Sequence, residues 1–418
     1  MITIRDKKDC CGCHACAMVC AKRCIVMQSD EEGFLYPVVN KDVCVDCGLC
    51  EKVCPVINQN EPRKPLKVYA SKNKNEEIRR QSSSGGIFTL LAEKFIMEGG
   101  IVFGARFDEE WNVIHSWTDT IEGIAAFRGS KYVQSTIGNT YCEAKDFLKQ
   151  GRKVLFSGTP CQIAGLKKYL LKDYENLLTV DVVCHGVPSP LVWRTYLGEL
   201  REELRAERGA GKKSLPSSMD ELPVITDISF RDKANGWKKF GFRLCYATSE
   251  AAPNSVFSSA IKVEKELLQP FTDNTFMKGF LANLYLRPSC YDCAARLGKS
   301  GSDITIADFW GVQNFYPEFD DDKGVGLILI NSKKGELVYG GVHAQNVLAT
   351  YEQGLANNPC IEQSVVQPQQ RNLFVFDSSL NLTEQLTPLL QSMRPNIVLR
   401  ICRDFRIKLG KIKRMIVK

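Results

Sequence analysis

The sequence predicts an α/β protein (α+β overall): a small cysteine-rich unit, a mixed-sheet core with flanking helices, and a helical basic C-terminal tail. Three observations predict it. Cysteines recur twice at one spacing within the first 60 residues. Two strand–turn–helix passages follow one another between Lys153 and Leu191. Near the end, apolar residues recur at intervals of three and four among basic ones, which is the period of an amphipathic helix.

The first unit, residues 1–60, reads Cys10-x2-Cys13-x2-Cys16-x3-Cys20 and then Cys44-x2-Cys47-x2-Cys50-x3-Cys54-Pro55. This is the bacterial ferredoxin spacing for two [4Fe-4S] clusters, in which three close thiolates hold one cluster and the fourth reaches across to the other. The expected ligand sets are Cys10, Cys13, Cys16 and Cys54 for one cluster, and Cys44, Cys47, Cys50 and Cys20 for the other. A zinc ribbon fits poorly, because zinc takes four tetrahedral ligands, usually from two CxxC pairs. Ala21 stands where the second copy has Pro55; that proline shapes a turn and ligates nothing. Cys11 and Cys24 lie off the ligand spacing and read as packing residues. Gly33 to Val39 is expected to form a hairpin between the runs, and Gln59 to Pro65, polar with two prolines, reads as a linker.

A chain of 418 residues with 44% hydrophobic content suggests two or three domains with substantial cores. No apolar run approaches the length of a membrane span, and Met1 to Lys8 lacks the apolar centre of a signal peptide. Eighteen cysteines in an unexported chain argue for metal ligation in a reducing, oxygen-poor cytoplasm rather than for disulfides. The net charge of +7 is unevenly placed: Arg394 to Lys418 alone carries +8, which leaves −1 for the rest. The body is therefore not basic, and nucleic acid is excluded as an expected partner.

The core is expected in two parts, residues 66–150 and 151–330, followed by an extension over 331–418. Leu66 to Ala70 begins as a strand. Ser83, Ser84, Gly85 and Gly86 then lead into a helix through Ile87, Leu91 and Phe95. Such a serine/glycine start either offers backbone N–H groups to an anion or is an ordinary helix cap. Strands are expected over Ile101 to Phe107 and Val113 to Thr118. Gly129-Ser130-Lys131-Tyr132 is either a clamp for a phosphate and a ring system or a plain surface turn.

Lys153 to Ser157 reads as a strand, turning through Gly158-Thr159-Pro160-Cys161-Gln162 into a helix from Ile163 to Leu171. Leu177 to Val183 is a second strand, turning through Cys184-His185-Gly186 into a helix near Leu191. So short a strand–helix–strand passage implies a right-handed crossover between parallel strands. Cys161 and Cys184 should then meet at the carboxyl edge of the sheet, where open α/β sheets bind ligands. Residues 205–223 and 248–260 read as loops, with strands over Val224 to Phe230 and Phe240 to Tyr246 between them. Phe271 to Tyr285 reads as a helix. Cys290 and Cys293 form a second close pair; alone they suggest zinc or redox chemistry, and with Cys161 and Cys184 they make the four thiolates that a third cluster needs. Val325 to Asn331 resembles an inner strand. Ile401 to Ile416 reads as a basic amphipathic helix, held either on an anionic membrane face or against its own protein with a solvated basic side.

These stretches together resemble the family of coenzyme F420 hydrogenase/dehydrogenase beta subunits, which includes 7-hydroxymethyl chlorophyll a reductase. The match runs through Ser83-Ser84-Gly85-Gly86, Gly129 to Tyr132, Gly158 to Gln162, Cys184-His185-Gly186, Arg287-Pro288-x-Cys290-x2-Cys293 and Asp303-Ile304-x4-Phe309-Trp310-Gly311. The resemblance implies an α/β flavoprotein core that holds FAD beside a [4Fe-4S] cluster. It places Ser83 to Gly86, Gly129 to Tyr132 and Thr159 around the flavin, and Cys161, Cys184, Cys290 and Cys293 on the cluster. It also implies that chains with this domain order sit beside surface-polysaccharide genes in bacteria.

Clusters move single electrons, whereas a flavin collects two and passes on a hydride. The expected activity is an oxidoreductase that links one-electron carriers to a two-electron substrate such as coenzyme F420, with Lys131 and His185 as candidates for charge stabilisation or proton delivery. The alternative is an electron-transfer module that serves a partner enzyme, in polysaccharide biosynthesis for example, with no substrate of its own. The expected partners are a redox protein (a ferredoxin or that enzyme), a small-molecule substrate, the inner membrane face through the tail, and a second copy of the chain. The expected location is cytoplasmic.

Overall fold

Each cysteine run folds around a short helix that starts from a left-handed residue. A computed structural model describes residues 1–209, 222–251 and 260–393. In it, α1 (Ala15–Val19) follows His14 at φ 64°, and α2 (Leu49–Lys52) follows Gly48 at φ 75°. The two residues are equivalent, each standing between the second and third cysteine of its run. Gly48 adopts this conformation freely and His14 only at a cost. Between the helices, β1 (Ile25–Ser29) pairs antiparallel with β2 (Leu35–Val39), Ile25 opposite Val39. The expected hairpin over 33–39 thus contains only the second strand. Its turn is made by Asp30, whose carboxylate accepts from the amides of Glu32 (3.1 Å) and Phe34 (2.8 Å).

The core begins with β3 (Lys67–Lys72), α3 (Glu76–Gln81), α4 (Ile87–Met97), β4 (Ile101–Phe107), β5 (Val113–Thr118) and α5 (Thr140–Lys149). It continues with β6 (Val154–Gly158), α6 (Pro160–Leu170), β7 (Leu177–Val182) and α7 (Pro190–Gly209). Strands β8 (Val224–Asp232), β9 (Gly241–Ala251) and β10 (Ala260–Pro270) form a separate antiparallel sheet. Then come α8 (Thr275–Leu281), β11 (Ile304–Asp308), β12 (Gly326–Ile330), α9 (Lys333–Gly340), β13 (Gln345–Ala349), α10 (Tyr351–Leu355) and α11 (Leu382–Ser392).

One mixed sheet runs β13-β3-β12-β11-β7-β6-β4-β5. Its centre, β11-β7-β6-β4, is parallel, as the crossover from β6 through α6 to β7 requires. Strand β12 is buried along its whole length, which suits an all-apolar Gly-Leu-Ile-Leu-Ile run. The sheet takes strands from both sides of residues 150 and 330, so neither point separates one sheet from another.

Helices α5 and α6 cover one face, together with the cysteine unit, whose Cys11, Cys13, Ala15 and Val53 join a cluster around Tyr141, Phe156 and Ile163. Gly165 on α6 permits this approach, since a Cβ there would lie 2.7 Å from Cys13 Cβ. Helix α4 and the end of α9 cover the other face. Helices α7, α8 and α11 pack with the three-stranded sheet around Trp193, Phe230, Phe242 and Phe276.

Several boundaries differ from expectation. Helix α8 is half the expected length, because Asn274 caps its start by accepting from the Met277 amide (2.9 Å) and Asn283 leaves helical geometry at φ 59°. Helix α7 runs into the segment read as a loop from residue 205, and β9 and β10 extend into the one read as a loop over 248–260. The outward Glu264 and Glu266 hid the β10 pattern. Helix α6 starts at Pro160, so Cys161 lies in its first turn rather than in a loop. The proposed tail helix, Ile401 to Ile416, lies outside the described residues.

Asp303 ties the centre of the sheet together. Its carboxylate accepts from the Thr179 amide (2.9 Å) and hydroxyl (2.8 Å) on β7 and from the Ser332 hydroxyl (2.6 Å) ahead of α9. Asp303→Ala would strand these buried donors. The expected cost is about 3 kcal/mol, read as a lower midpoint in denaturant unfolding, with Asp303→Asn losing less.

Candidate functional site

Four cysteines converge at the carboxyl edge of the parallel strands. Cys161 sits in the first turn of α6, after Thr159, whose amide donates to Gln162 Oε1 (2.9 Å) in a capping box. Cys184 follows β7. Cys290 and Cys293 arrive because the chain returns to this edge as a short antiparallel bridge between Pro188 and Leu286. Around it, the Ser189 amide donates to Tyr285 O (3.0 Å) and the Arg287 amide to Val187 O (3.0 Å). The Val187 amide points at Cys290 Sγ (3.4 Å).

All four thiols are pushed above their ordinary pKa. For Cys161 the Cys11 thiol hydrogen-bonded to it is the largest cause, with burial next. Burial dominates for Cys184 and Cys293, and it pushes Cys290 up to about 12. Each also feels the charge of others in the set. Two buried arginines flank the group. Arg296 donates to the carbonyls of Cys184, Cys360 and His185, and Arg287 stands three residues before Cys290. Neither has a carboxylate partner among the described residues. Buried cations need a nearby anion, and a thiolate-bound metal group supplies one, so the donor set fits such a group. Among the described residues no three His, Cys, Asp or Glu side chains close on a single ion; shared burial and mutual electrostatics define the group.

In the N-terminal unit, Cys16 feels Cys10 and Cys54 most strongly after burial, and Cys54 in turn feels Cys10. Cys20 lies 3.3 Å from Cys24, whose thiol also meets Cys44. Each fourth cysteine is thus near the opposite run. Cys50 is buried, taking the Ile2 amide at 3.3 Å, and Cys47 is exposed. Cys11 and Cys24, read as packing residues, are buried but touch cysteines of the expected ligand sets.

The serine/glycine loop and the Gly129 turn meet each other. Ser83 Oγ accepts from the Ser130 amide (2.7 Å) and donates to Ser130 Oγ (3.0 Å), while Ser84 Oγ donates to Val325 O (2.8 Å). Gly86 caps α4. Each loop is held from beneath by a lysine. Lys131 Nζ donates to the carbonyls of Ala126 (2.9 Å), Arg128 (2.7 Å) and Gly129 (3.3 Å). Lys233 Nζ donates to Arg79 O (2.9 Å), Ser84 O (2.8 Å) and Lys323 O (2.9 Å). Burial pulls both ammonium groups down to about 7. Lys131 Nζ is therefore directed into its own loop. His185 hydrogen-bonds Asn283 Oδ1 (2.6 Å) and stands edge-on to Phe280, against which Tyr132 also packs, its centroid 4.8 Å away.

Three groups here escaped the sequence reading. Arg231 pairs with Asp308 (2.8 Å), reaches Tyr132 OH (3.2 Å) and lies over Trp310, with its buried Nε unpartnered. Trp237 donates to the same Asp308 (2.9 Å) and stacks on Trp310 at 1°. The Asp-x2 position ahead of Gly311 lay inside a quoted motif, but nothing in the chain marked Arg231 as its partner. His115 lines a cavity of about 520 Å³ with Arg106, Ser116, Phe127, Asn139 and Glu143. It donates from Nε2 to Ser157 O (3.1 Å), leaving Nδ1 unpartnered, and burial lowers its pKa to about 4.

The fold and the grouped thiols define an α/β redox-type core with a dicluster cysteine unit docked on one face. Residues 151–212 match the family model for the C terminus of the coenzyme F420 hydrogenase/dehydrogenase beta subunit, and residues 9–58 match the 4Fe-4S dicluster domain. The chain is similar to a coenzyme F420-dependent sulfite reductase of Methanocaldococcus jannaschii, 27% identical over 204 residues that cover 46% of this chain and 30% of that protein. It is similar to a subunit of the F(420)H(2) dehydrogenase of Methanosarcina mazei, 26% identical over 190 residues covering 42% and 53%. Its start is similar to a 7Fe ferredoxin of Hydrogenibacillus schlegelii, 36% identical over 64 residues covering 15% and 76%. The chain belongs to the family of coenzyme F420 hydrogenase/dehydrogenase beta subunits and carries an N-terminal 4Fe-4S dicluster domain. The match spans about half or less of the first two relatives. No helix among the described residues is long and apolar enough to cross a membrane.

Proposed function

We propose that the chain is an iron–sulfur flavoprotein oxidoreductase that passes electrons between [4Fe-4S] clusters, FAD and a two-electron substrate such as coenzyme F420. The observation that carries this reading is the position of the four thiols. Cys161 touches Cys11 of the dicluster unit on one side, and Cys184 leads through His185 and Phe280 to Tyr132 on the other. Cys161, Cys184, Cys290 and Cys293 would hold the third cluster. Cys10, Cys13, Cys16 and Cys54 would hold one of the N-terminal clusters, and Cys44, Cys47, Cys50 and Cys20 the other.

FAD, when bound, would combine two single electrons into one hydride transfer. The orphaned, buried Nε of Arg231 and the open space above Gly129 fit a polar ligand between the two loops. Ser83, Ser84, Gly85 and Gly86 would present the start of α4 to its phosphates, and Ser130, Tyr132 and Thr159 would line the remainder. Lys131 acts by ordering Gly129 to Tyr132. His185, tethered by Asn283, remains the candidate for handling a proton beside the ring.

Anaerobic purification followed by iron, sulfide and flavin counts tests the reading. About 12 iron atoms and one FAD are expected, and the loaded protein alone should exchange electrons with a soluble hydride carrier. Full iron with no flavin uptake after reconstitution would remove FAD from the scheme. Lys131→Ala should weaken FAD binding about tenfold, or about 1.4 kcal/mol, measured by flavin fluorescence quenching. A second reading, an electron-transfer module for a partner enzyme, draws on the exposed Cys47 edge of the dicluster unit and on the relative that is one component of a dehydrogenase. That reading expects electron transfer to protein acceptors only.

A further inference from the structure

Arg287 is 0% exposed and lies between the dicluster unit and the core. Its guanidinium donates from Nε to Cys10 O (2.7 Å), from Nη1 to Gln134 Oε1 (2.9 Å), and from Nη2 to Leu35 O (3.0 Å) and Cys10 Sγ (3.5 Å). It lies over the Tyr36 ring at 4.2 Å and near that of Phe34 at 5.4 Å. Only glycine suits position 12, because a Cβ there would stand 2.8 Å from Nη1, at a φ of +69°. Gln134, which holds one arm of the fork, also donates to Cys11 O (3.1 Å). The Arg287 backbone belongs to the other site: its carbonyl accepts from the Cys290 amide (2.9 Å).

No carboxylate pairs with this cation among the described residues. Its electrostatic neighbours are Cys10 and Cys11 on one side and Cys290 and Cys161 on the other. An uncompensated buried charge costs several kcal/mol, so the anion that balances it has to come from the two cysteine groups themselves.

We propose that Arg287 is a positioning residue for electron transfer, a single buried counter-charge shared by the cluster at Cys10 and the cluster at Cys161, Cys184, Cys290 and Cys293. The inference rests on the cluster reading above. One electron arriving at either cluster adds one negative charge, and no bond forms or breaks. The guanidinium stabilises the reduced state of both, which raises both reduction potentials together and keeps the step between them nearly level. Net charge and hydrogen bonds to sulfur are the terms by which a protein sets such potentials. Arginine keeps its proton in proteins, so the compensation moves no proton. The cluster at Cys44, Cys47, Cys50 and Cys20 lies outside this arrangement and serves as an internal control.

The test is an EPR-monitored redox titration, with dithionite as the one-electron donor, of the full anaerobically isolated chain and of Arg287→Met and Arg287→Lys. The Met variant should disfavour reduction of two clusters about tenfold each, a fall of about 59 mV for a one-electron couple, while the third stays in place. Lys keeps the charge and should recover most of the shift. Full iron with unchanged potentials would overturn the proposal, and so would an equal shift of all three clusters. If Met costs iron, Arg287→Gln, which keeps donors in the slot without charge, carries the same comparison. Loss of all iron from both neutral variants also counts against it, because Arg287 would then be a folding residue. A wild-type count of about 8 iron atoms would instead refute the third cluster itself, which separates that failure from this one.

Discussion

Cys161→Ser is expected to remove about 4 of about 12 iron atoms per chain and to stop electrons from the N-terminal unit reaching a hydride acceptor. Cys161 lies in the first turn of α6, on the sheet edge that Cys184 and the Cys290–Cys293 turn also reach. A serine hydroxyl there is a poor substitute for a thiolate. The eight cysteines of residues 10–54 lie in a unit with its own hairpin and helices, so its iron should remain. Cys11 complicates the substitution, because its thiol already touches Cys161 and could step in as a ligand. The double variant with Cys11→Ser is therefore the stricter form. Iron and sulfide analysis with EPR spin counting reads the result. One zinc per chain at this site, with only about 8 iron, would replace the relay with a structural metal.

Gly85→Ala should be the most damaging single methyl in the core. A Cβ at Gly85 would stand 2.3 Å from Ser71 O on β3 and 2.6 Å from Gly326 N on β12. Both are backbone atoms of paired strands, which have no rotamer to change. The Gly85 carbonyl also accepts from the Asn73 amide (2.7 Å), so the loop is pinned on either side of the clash. Overpacking of this kind costs about 3 kcal/mol, and it should appear as a lower thermal midpoint in protein without flavin as well as with it. Gly86 has more room, its nearest contact being Asn73 Cβ at 3.2 Å. Unchanged stability in Gly85→Ala would mean that the loop can lift away from the sheet.

The parts of this fold that were legible in the chain are those that local rules decide. β4 and β5 were expected over the residues they occupy, and β12 within one residue at each end, because apolar strands are bounded by turn residues. Pairing Cys161 with Cys184 followed from the handedness of a crossover and a six-residue strand. What stayed hidden depends on returns of the chain that leave no local mark. The bridge from Pro188 to Leu286, which delivers Cys290 and Cys293, joins residues 98 positions apart with no repeating pattern. Arg231 meets Asp308 across 77 residues in the same way. Cys11 was set aside for being off the ligand spacing, a rule that describes one unit and says nothing of the helix packed against it. Lys131 read as a free cation because sequence does not show that three carbonyls of its own turn would claim it.

The wide separation of the four core thiols also has a consequence in time. Residues 10–54 are all available once the first unit has left the ribosome, so its two metal centres can mature early. Cys161 and Cys184 emerge next and must wait for Cys290 and Cys293. At about 5–20 residues per second, that wait lasts roughly 5–20 seconds. Throughout it, two thiols sit on a growing chain with nothing to share a cluster with, beside a unit already filled. Cluster-delivery machinery acting on this protein would therefore need to come twice, and the second visit falls only after most of the sheet has been synthesised.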